Sequence, residues 1–489
     1  MNIVDVISAQ ARVQPHAVAL LTAGTAIGYA EAVERYTHLA AALAARGVQA
    51  GDRVALRLPN GPLHVLTVLA LGRLGAVAMP LHPQRPGEPL QPLLARHGVT
   101  RTLGLRPAHA IEGTEFVAVD EHLLAAARPA TLGAVTDGDE QLVLISLSSG
   151  STGLPKAVAW SHQRVIRHWE LVQRLVPHGP GVRSLMFLGL DGNYPLQSVL
   201  RMLFSGGTAV LTAQVDLASL ADAVDRLGAN DVVSSPALMA RLLDELPPGV
   251  QRFPGLKRLS LGGSPIPPPL MERLRRQLCS NIEVSYGTTE AGRLAIGGTE
   301  RVPAVPHAVG TLVPWVEAQV LDDEGRVLPA GSRGLLRFRS DAFASGYLDD
   351  PDASAAVFHD GWYWPGDVGC ILDDGCLVVE GRADDVINLG GTKIDPGEVE
   401  GVLMQDPSIA DAAAYAAVGP QGLLRLLAAV VVREGYDEAQ AMRRCRAVLG
   451  RKAPFRLVTL PALPRNSQGK LLRHELSART RITPAAKRP

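Results

Sequence analysis

The sequence predicts an α/β protein, and three observations support that prediction. Strand patterns alternate with amphipathic helix patterns through the first 130 residues, and the same alternation returns over residues 208–261. Such alternation is typical of mostly parallel sheets whose faces are covered by helices. The chain is 489 residues long, which exceeds the usual size of one domain, so two or more domains are expected.

Apolar periodicity and glycine mark the first elements. An alanine-rich amphipathic helix is predicted over residues 29–46, where Gly47 stops it, and a second helix is predicted over residues 61–74. Short apolar runs at residues 53–58 and 76–79 predict strands before and after that second helix. The order strand, helix, strand is that of a parallel βαβ unit.

The second half of the chain changes in character. Residues 316–381 are rich in glycine, turns and short alternating strand patterns, which predicts a small β-subdomain. Beyond them the chain returns to mixed helix and strand patterns. We therefore place a domain boundary at residues 382–385, with an N-terminal domain over residues 1–381 and a C-terminal domain over residues 386–489.

Charge and cysteine content narrow the class of protein. Lys plus Arg (48) equals Asp plus Glu (48), so there is no electrostatic reason to expect nucleic acid or an anionic membrane as a partner. The chain has no leader pattern at its start, and no apolar stretch is long enough to span a bilayer. The four cysteines are scattered, which favours free thiols in a reducing compartment. We therefore expect a cytoplasmic protein.

A loop rich in glycine and hydroxyl groups follows the apolar strand pattern of residues 142–147. Glycines let the backbone turn tightly and present N–H groups, hydroxyls donate to phosphate oxygens, and a lysine adds positive charge. A mononucleotide P-loop is disfavoured because two residues separate Gly153 from Lys156, and a plain surface loop is the simpler alternative. The candidate phosphate-binding residues are Ser148, Ser149, Gly150, Ser151, Thr152, Gly153 and Lys156.

This loop resembles the phosphate loop of the adenylate-forming superfamily, which includes acyl-CoA synthetases, peptide-synthetase adenylation domains and luciferases. The resemblance covers nearly the whole chain and recurs in order at residues 262–264, 286–290, 366–367, 382–385 and 466–470. It implies a large N-terminal domain of layered, mostly parallel sheets and a small, mobile α+β C-terminal lid domain. It also implies a reaction in two steps. Acid and ATP form an acyl-adenylate and pyrophosphate, and the acyl group then forms a thioester on CoA or on carrier-protein pantetheine.

The resemblance assigns residues to ATP and Mg²⁺. Thr289 contacts phosphate, Glu290 holds the metal, and Lys470 is the catalytic lysine that supplies positive charge at the α-phosphate. The residues assigned to adenine and ribose are Gly263, Ser264, Tyr286, Gly287, Asp367 and Arg382. Taken singly, Glu290 could be a helix-start carboxylate, Asp367 a turn former and Lys470 a solvated surface lysine. The ordered set of motifs favours the functional interpretation.

The same resemblance assigns the C-terminal part to domain movement and thiol entry. Asp384 is the hinge residue on which the C-terminal domain turns between the two half-reactions. Gly390, Gly391 and Lys393 would then lie near the incoming thiol arm. No carrier motif follows Lys470, so any acyl or aryl carrier protein is expected to act in trans.

The pocket for the carboxylic acid is predicted around Asn193, Tyr194, Ser198, Gly262 and Arg293. Asn193 falls where amino-acid-activating relatives place an aspartate for the substrate ammonium, so an α-amino acid is disfavoured. The segment resembles the aryl-acid-activating branch, in which the asparagine bonds a ring hydroxyl and the tyrosine forms a wall of the ring site. As an alternative, Asn193 caps the following helix, because asparagine is a favoured N-cap.

Two departures from the family pattern bear on this pocket. Gly192 stands where many relatives carry a histidine gate, so that position lacks a gating side chain. Arg293 stands where relatives often have a small or apolar residue. It either favours an anionic or polar substituent on the acid or extends its charged end to solvent.

The predicted function is therefore an ATP-dependent acid–thiol ligase acting on a small carboxylic acid, with an aromatic, hydroxybenzoate-like acid favoured. Three alternatives stay open at this point. The acid could be aliphatic or dicarboxylic, the adenylate could be used without transfer to a thiol, or the chain could bind a nucleotide without catalysis.

Overall fold

The computed structural model describes most of the chain. The described residues are 1–83, 90–120, 123, 140–148, 155–246, 251–264, 266, 268–298, 305, 307–383, 387–389, 392–418, 424–466, 469 and 471–479. They divide into two compact units. Unit 1 comprises Met1–Gln319, Arg337–Pro365 and Leu372–Val378, and unit 2 comprises Val320–Leu336, Gly366–Ile371 and Val379–Pro489. The predicted hinge residue Asp384 lies outside the described residues, so the boundary at residues 382–385 stays a prediction.

Helices occur from the start of the chain to its last described segment. They are α1 Ile3–Val13, α2 Tyr29–Ala45, α3 Pro62–Leu74, α4 Leu90–Arg96, α5 His162–Leu175, α6 Asn193–Phe204, α7 Leu217–Ala221, α8 Pro236–Asp244, α9 Pro268–Gln277, α10 Pro351–Val357, α11 Pro396–Leu403, α12 Glu438–Leu449 and α13 Arg473–Arg479. Short 3₁₀ turns lie at Pro107–His109 and Gly450–Lys452, and a π-helical segment, Asp222–Arg226, continues α7.

Strands fill the chain between these helices. They are β1 Val18–Leu21, β2 Ala26–Gly28, β3 Arg53–Arg57, β4 Val77–Pro80, β5 Val99–Gly104, β6 Glu115–Ala118, β7 Leu142–Ser148, β8 Lys156–Ser161, β9 Arg183–Met186, β10 Thr208–Leu211, β11 Asp231–Ser234, β12 Arg258–Gly262, β13 Ile282–Thr288, β14 Gly292–Gly298, β15 Ala308–Leu312, β16 Glu317–Leu321, β17 Gly334–Arg339, β18 Phe358–His359, β19 Trp362–Tyr363, β20 Asp367–Ile371, β21 Cys376–Arg382, β22 Ile387–Leu389, β23 Thr392–Ile394, β24 Ile409–Val418, β25 Leu424–Val432 and β26 Arg456–Thr459.

Two mostly parallel sheets organise unit 1. In one of them the strands follow the order β15-β14-β13-β12-β11-β9-β10-β1-β2. The neighbours from β13 to β1 pair in parallel, whereas β14, β15 and β2 join through antiparallel pairs. The second sheet has the order β6-β5-β3-β4-β7-β8, parallel up to β7 and closed by the antiparallel pair β7–β8. The predicted α/β class is confirmed.

The first helices form where apolar periodicity predicts them. Helix α2 buries Tyr29, Tyr36 and Leu39 along one face, and the chain leaves the helix through Gly47 at φ +84°. A side chain is disfavoured at such a positive φ, which explains why glycine ends the helix. Helix α3 is apolar almost all round and is buried over most of its length. Each fully buried large aliphatic side chain stabilises the fold by about 1.5–3 kcal/mol.

Unit 2 contains its own small sheet and apolar core. Strands β24 and β25 pair antiparallel, and β26 joins β25 in parallel. Helices α11 and α13 pack on β24, and buried aliphatic side chains of α11, α12 and the sheet form one cluster. These elements match the mixed α and β pattern predicted for the C-terminal part. No helix in the described part of the chain has both the length and the apolar character that crossing a bilayer requires.

A buried charge network fixes helix α6 to the larger sheet of unit 1. Asp231, at the start of β11, accepts a short hydrogen bond from Ser184 and pairs with Arg258 at 2.5 Å. His178 lies 3.7 Å from the same carboxylate and 2.6 Å from Nη1 of Arg201 in α6. Burial alone would raise the pKa of Asp231, but His178, Arg258 and Ser184 lower it to about 2. The network therefore holds the helix that carries Asn193 and Tyr194.

Replacing Asp231 with asparagine should destabilise unit 1 by about 3–5 kcal/mol, because the substitution leaves buried cationic partners without their carboxylate. Thermal unfolding followed by circular dichroism should show a clear loss at pH 7. The folded pKa lies below the unfolded value of about 3.9, so this stabilisation is present above that pH and is lost as pH falls toward 2. Asp222→Asn, in an exposed pair with Arg226, is the matched control. Equal effects of the two substitutions would contradict the assignment.

Candidate active site

The hairpin of β13 and β14 presents the segment 286–290. The two strands pair antiparallel, with Gly287 opposite Arg293. A Cβ on Gly287 would lie 2.1 Å from the carbonyl oxygen of Gly292, so only glycine permits this close approach. Thr289 and Glu290 occupy the turn, and the half-buried Thr289 hydroxyl makes no hydrogen bond among the described residues. That hydroxyl is therefore free to meet an anionic oxygen.

Glu290 is the best candidate for a metal ligand in this turn. Its side chain is only 6% exposed, and its carboxylate oxygens accept hydrogen bonds from Tyr347 at 2.8 Å and Tyr363 at 3.2 Å. Among the described residues, no three His, Cys, Asp or Glu side chains converge to hold a metal ion. A lone carboxylate fits Mg²⁺ that is completed by phosphate oxygens and water, since Mg²⁺ is usually bound through one or two carboxylates plus substrate phosphates. The donor set therefore fits Mg²⁺ bound together with a nucleotide.

The two ends of the predicted phosphate loop are brought together by the β7–β8 pair. Ser148 ends β7 opposite Lys156 at the start of β8. The Lys156 Nζ lies 4.9 Å from the centre of the Tyr347 ring, which orients a positive charge near the Glu290 turn. The remaining candidates of the loop lie outside the described residues: Ser149, Gly150, Ser151, Thr152 and Gly153.

The predicted adenine residues of unit 1 lie just after β12 and in the last part of β13. Gly263 has φ +92°, which a side chain rarely adopts, and it turns the chain as β12 ends. Ser264 is half-buried in the bend that follows. Tyr286 in β13 is half-buried, with its ring 6.2 Å from that of Phe338. The carboxyl ends of parallel strands are the usual place for a ligand site in such sheets.

Asn193 does not cap helix α6, so that alternative is wrong. Gly192 is the N-cap and Asn193 is the first helical residue, with no side-chain bond to the helix end. The Asn193 side chain is buried and its Oδ1 accepts a hydrogen bond of 2.9 Å from Ser146 in β7. Its amide nitrogen makes no hydrogen bond among the described residues. Ser146 therefore fixes the amide through its oxygen and leaves both N–H donors of its nitrogen unused.

Tyr194 forms a wall next to Gly262. A Cβ on Gly262 would lie 3.6 Å from Cε1 of Tyr194 and 3.2 Å from Oγ of Ser285, so glycine leaves room beside the ring. Burial raises the pKa of the Tyr194 phenol, so the ring is neutral. The Ser198 hydroxyl donates to the Tyr194 carbonyl at 2.8 Å and keeps only acceptor capacity for a ligand.

Arg293 does not extend to solvent, so that alternative is also wrong. Its side chain is 9% exposed and donates from Nη1 to Glu283 at 2.9 Å. Glu283 and Arg293 lie on the neighbouring strands β13 and β14. Their ion pair therefore holds the guanidinium group of Arg293 inside unit 1. Its Nε and Nη2 groups have no hydrogen-bond partner among the described residues. Neither atom is among the fully buried polar atoms that lack a partner, so both remain accessible.

Four further residues belong to this region and were not found from the sequence. Burial, with the charges of Arg293 and Arg201, lowers the pKa of His168 to about 3, so its ring is neutral. Burial lowers the pKa of Arg201 to about 10, which leaves it charged at neutral pH. Tyr347 and Tyr363 are the other two. The glycine and aromatic residues beside these tyrosines were the only signal in the sequence.

Unit 2 holds the remaining candidates. Asp367 is buried at the start of β20, and Arg382 ends β21. The amide of Ala383 donates to the Gly366 carbonyl at 2.7 Å. Gly366 directly precedes Asp367 and Ala383 directly follows Arg382, so this bond joins the two segments that carry the candidates. Lys393 lies in β23 opposite Asn388. Gly390, Gly391 and Lys470 lie outside the described residues.

Comparison with protein families identifies the chain. The family model described as AMP-binding enzyme matches residues 7–348, and the model of the AMP-binding enzyme C-terminal domain matches residues 398–470. The chain belongs to the AMP-binding enzyme family. The predicted resemblance to adenylate-forming enzymes is confirmed.

Several relatives of this AMP-binding enzyme align over nearly their whole length. It is 31% identical to a feruloyl-CoA synthase from an Amycolatopsis species, over 96% of this chain and 97% of that protein. It is 29% identical to the 2-hydroxy-7-methoxy-5-methyl-1-naphthoate–CoA ligase of Streptomyces carzinostaticus, over 96% and 91%. Its structure resembles the O-succinylbenzoate coenzyme A synthetase MenE of Bacillus subtilis in complex with AMP, with a TM-score of 0.86, 25% identity and coverage of 96% and 97%.

The Glu290 assignment predicts a changed metal requirement. Glu290→Gln keeps the shape of the side chain and removes its charge, so half-maximal activity should require roughly tenfold or more Mg²⁺. Acid-dependent ATP–pyrophosphate exchange measured over a range of Mg²⁺ concentrations checks this, and high Mg²⁺ should restore part of the rate. Glu283→Gln is the matched control, since that carboxylate pairs with Arg293 in the same hairpin. A normal Mg²⁺ profile for Glu290→Gln would rule out the assignment.

Proposed function

We propose that this chain activates an aromatic monocarboxylic acid with a polar ring substituent as its adenylate and transfers the acyl group to the thiol of CoA. The reaction class, AMP-forming acid–thiol ligation through an acyl-adenylate, is that of the family and its full-length relatives, and it confirms the predicted class. The choice of acid rests on one observation. Ser146 holds the Asn193 side chain by its oxygen and leaves a neutral amide donor unused beside the Tyr194 wall.

The nucleotide roles divide among residues already described. Thr289 and Lys156 meet the phosphates, and Glu290 holds Mg²⁺, whose charge offsets that of the phosphate oxygens. Asp367 and Arg382 in unit 2 keep the ribose roles that the family resemblance assigns, because one carboxylate suits two vicinal hydroxyls. ATP and Mg²⁺ are therefore the proposed cosubstrate and metal.

The charges near the pocket argue against an α-amino acid. Arg293, Glu283 and Arg201 all act electrostatically on the Tyr194 phenol, so two cations and one carboxylate lie near the predicted ring wall, and that carboxylate is paired with Arg293. Asn193 is neutral and offers no counter-ion to a substrate ammonium. An ammonium ion placed there would meet like charge and would find the nearby Glu283 carboxylate already paired with Arg293, which is costly in a desolvated site.

The pairing of Glu283 with Arg293 bears on whether the substrate carries one carboxylate or two. Because it pairs with Arg293 at 2.9 Å, that arginine already has a counter-ion and does not require a substrate anion. The unused Nε and Nη2 groups can still donate to a neutral acceptor such as a hydroxyl or methoxy oxygen. A dicarboxylic acid is the second candidate, supported by the additional buried cation Arg201.

The proposed acceptor is CoA. The two relatives described above, aligned over most of their length, are named as CoA-linked enzymes. A carrier-protein pantetheine presents the same thiol and is the alternative acceptor.

Pyrophosphate exchange over a panel of acids tests the proposal. The panel contains hydroxybenzoates, hydroxycinnamates, unsubstituted benzoate, dicarboxylates, fatty acids and amino acids, and hydroxy- or methoxy-substituted aromatic acids should give the highest kcat/KM. Mass spectrometry of the thiol product with CoA then separates a ligase from an enzyme that stops at the adenylate. A fatty acid or an amino acid as the best substrate would overturn the aromatic assignment and leave only the reaction class.

Asn193→Ala should reduce the preference for the substituted acid. Losing a buried hydrogen bond to the substituent costs about 1–3 kcal/mol, or about tenfold to a hundredfold in relative kcat/KM, while plain benzoate should be less affected. Ser198→Ala serves as the comparison, because that hydroxyl already donates to the Tyr194 carbonyl. Arg293→Met assayed on mono- and dicarboxylates separates the two candidate acids. A selective loss of the dicarboxylate would favour the second candidate.

Lys470→Ala should nearly abolish adenylate formation while the protein stays folded and binds ATP. Removing one preorganised positive contact to the α-phosphate is expected to cost on the order of a hundredfold or more in rate. Single-turnover adenylate formation measures the rate, and a titration with labelled ATP measures binding. Lys452→Ala, in an exposed pair with Glu398, is the control. A wild-type rate in Lys470→Ala would remove this residue from the mechanism.

A further inference from the structure

Tyr347 contacts two charged groups of the proposed nucleotide site at once. Its hydroxyl donates to Oε1 of Glu290 at 2.8 Å, and its ring faces the Lys156 Nζ at 4.9 Å from the ring centre. Its backbone is tied to the strand that begins at that lysine, because Val158 and Tyr347 form an antiparallel bridge and the amide of Leu348 donates to Ala157 at 2.8 Å. One tyrosine therefore links the phosphate-loop lysine to the turn carboxylate.

Tyr363 reaches the other oxygen of the same carboxylate. Its hydroxyl lies 3.2 Å from Oε2 of Glu290 and 3.0 Å from Oγ1 of Thr288. A phenol has one hydrogen and a carboxylate can only accept, so the Tyr363 hydroxyl donates toward Glu290 and shares that hydrogen with the Thr288 oxygen, which also lies as an acceptor. The Thr288 oxygen in turn accepts from the amide of Ala291 at 3.1 Å. The Tyr363 hydroxyl therefore lies between two acceptors of this hairpin, the Glu290 carboxylate and the Thr288 oxygen.

The ring of Tyr363 is fixed by its surroundings. Its side chain is 4% exposed, it stacks on Phe358 at 4.9 Å and it meets the edge of Phe343 at 6.0 Å. Strand β19 pairs with β17 through Phe338. A hydroxyl on such a restrained ring has little freedom to follow the carboxylate, so it determines where the carboxylate points.

We propose that Tyr347 and Tyr363 are positioning residues that orient the Glu290 carboxylate for Mg²⁺. The inference rests on the proposed role of Glu290 as the metal ligand. Each carboxylate oxygen has two lone pairs. Tyr347 takes one on Oε1 and Tyr363 takes one on Oε2, which leaves one lone pair of defined direction on each oxygen for the metal. Among the described residues Glu290 belongs to no cluster of three or more His, Cys, Asp or Glu side chains, so the direction of this one carboxylate matters for the metal.

Metal binding measured without catalysis tests this inference. Mn²⁺ serves as the probe, bound together with α,β-methylene-ATP, which cannot be cleaved between its α- and β-phosphates, and free Mn²⁺ is counted by electron paramagnetic resonance. Tyr347→Phe and Tyr363→Phe keep the rings and remove the hydroxyls, and each should weaken Mn²⁺ binding by about tenfold to a hundredfold. Tyr36→Phe, which removes a hydroxyl bonded to Ser8 elsewhere in unit 1, should leave Mn²⁺ affinity unchanged.

Glu290→Gln in the same titration separates the two levels of the proposal. If Glu290→Gln weakens Mn²⁺ binding but both tyrosine variants bind Mn²⁺ normally or more tightly, the positioning role is wrong and the metal role stands. If Glu290→Gln binds Mn²⁺ normally, the metal role itself is wrong, and the positioning role falls with it.

The lysine contact gives a second readout. Tyr347→Phe retains a ring face for Lys156, whereas Tyr347→Leu removes both the ring and the hydroxyl. Affinity for α,β-methylene-ATP measured in EDTA should therefore be near normal for Tyr347→Phe and several-fold weaker for Tyr347→Leu, since an exposed cation–π contact contributes about 0.5–1 kcal/mol. Equal nucleotide affinity of the two variants would overturn the link between Tyr347 and Lys156.

Discussion

The close approach of Gly287 to the Gly292 carbonyl is the constraint on which the candidate site depends. A Cβ at Gly287 would stand 2.1 Å from that oxygen, so the β13–β14 hairpin closes only with glycine there. The hairpin then serves both substrates of the proposed reaction. Its turn holds Glu290 with the two tyrosines, and its paired strands hold Arg293 against Glu283 beside the predicted acid pocket. A shift of the hairpin would displace the metal carboxylate and the pocket arginine together.

The proposed acid pocket combines a neutral amide with compensated charge. Asn193 is held by Ser146, Arg293 by Glu283, and Arg201 by the network that ends on Asp231. Each polar group is thus oriented before a substrate arrives, which reduces the ordering cost of binding. Preorganised donors discriminate strongly against a ligand that leaves them unpaired, and this is the physical basis for expecting a substituted ring over a plain one.

The sequence pattern predicted the helices and strands because each of them depends on residues close together in the chain. Periodicity and terminal glycines located α2 and β3, and an ordered series of motifs located the turn at Glu290. Contacts distant in sequence were not predictable in this way. Tyr347 and Tyr363 lie 57 and 73 residues from Glu290 along the chain, and no spacing rule connects them. Asn193 was ambiguous because asparagine suits a helix start equally well, and only the position of Gly192 at the N-cap decides it.

A lone carboxylate has a thermodynamic consequence for how nucleotide and metal bind. In the proposed site Glu290 would supply one of about six ligands that Mg²⁺ prefers, so most of the coordination would come from phosphate and water. Metal affinity is then strongly coupled to the presence of the nucleotide, and linkage requires the nucleotide to gain the same factor from the metal. The orientation of one side chain accordingly affects the affinity of both. On this proposal, the coupling gives a physical reason for two tyrosine hydroxyls to hydrogen-bond to a single carboxylate.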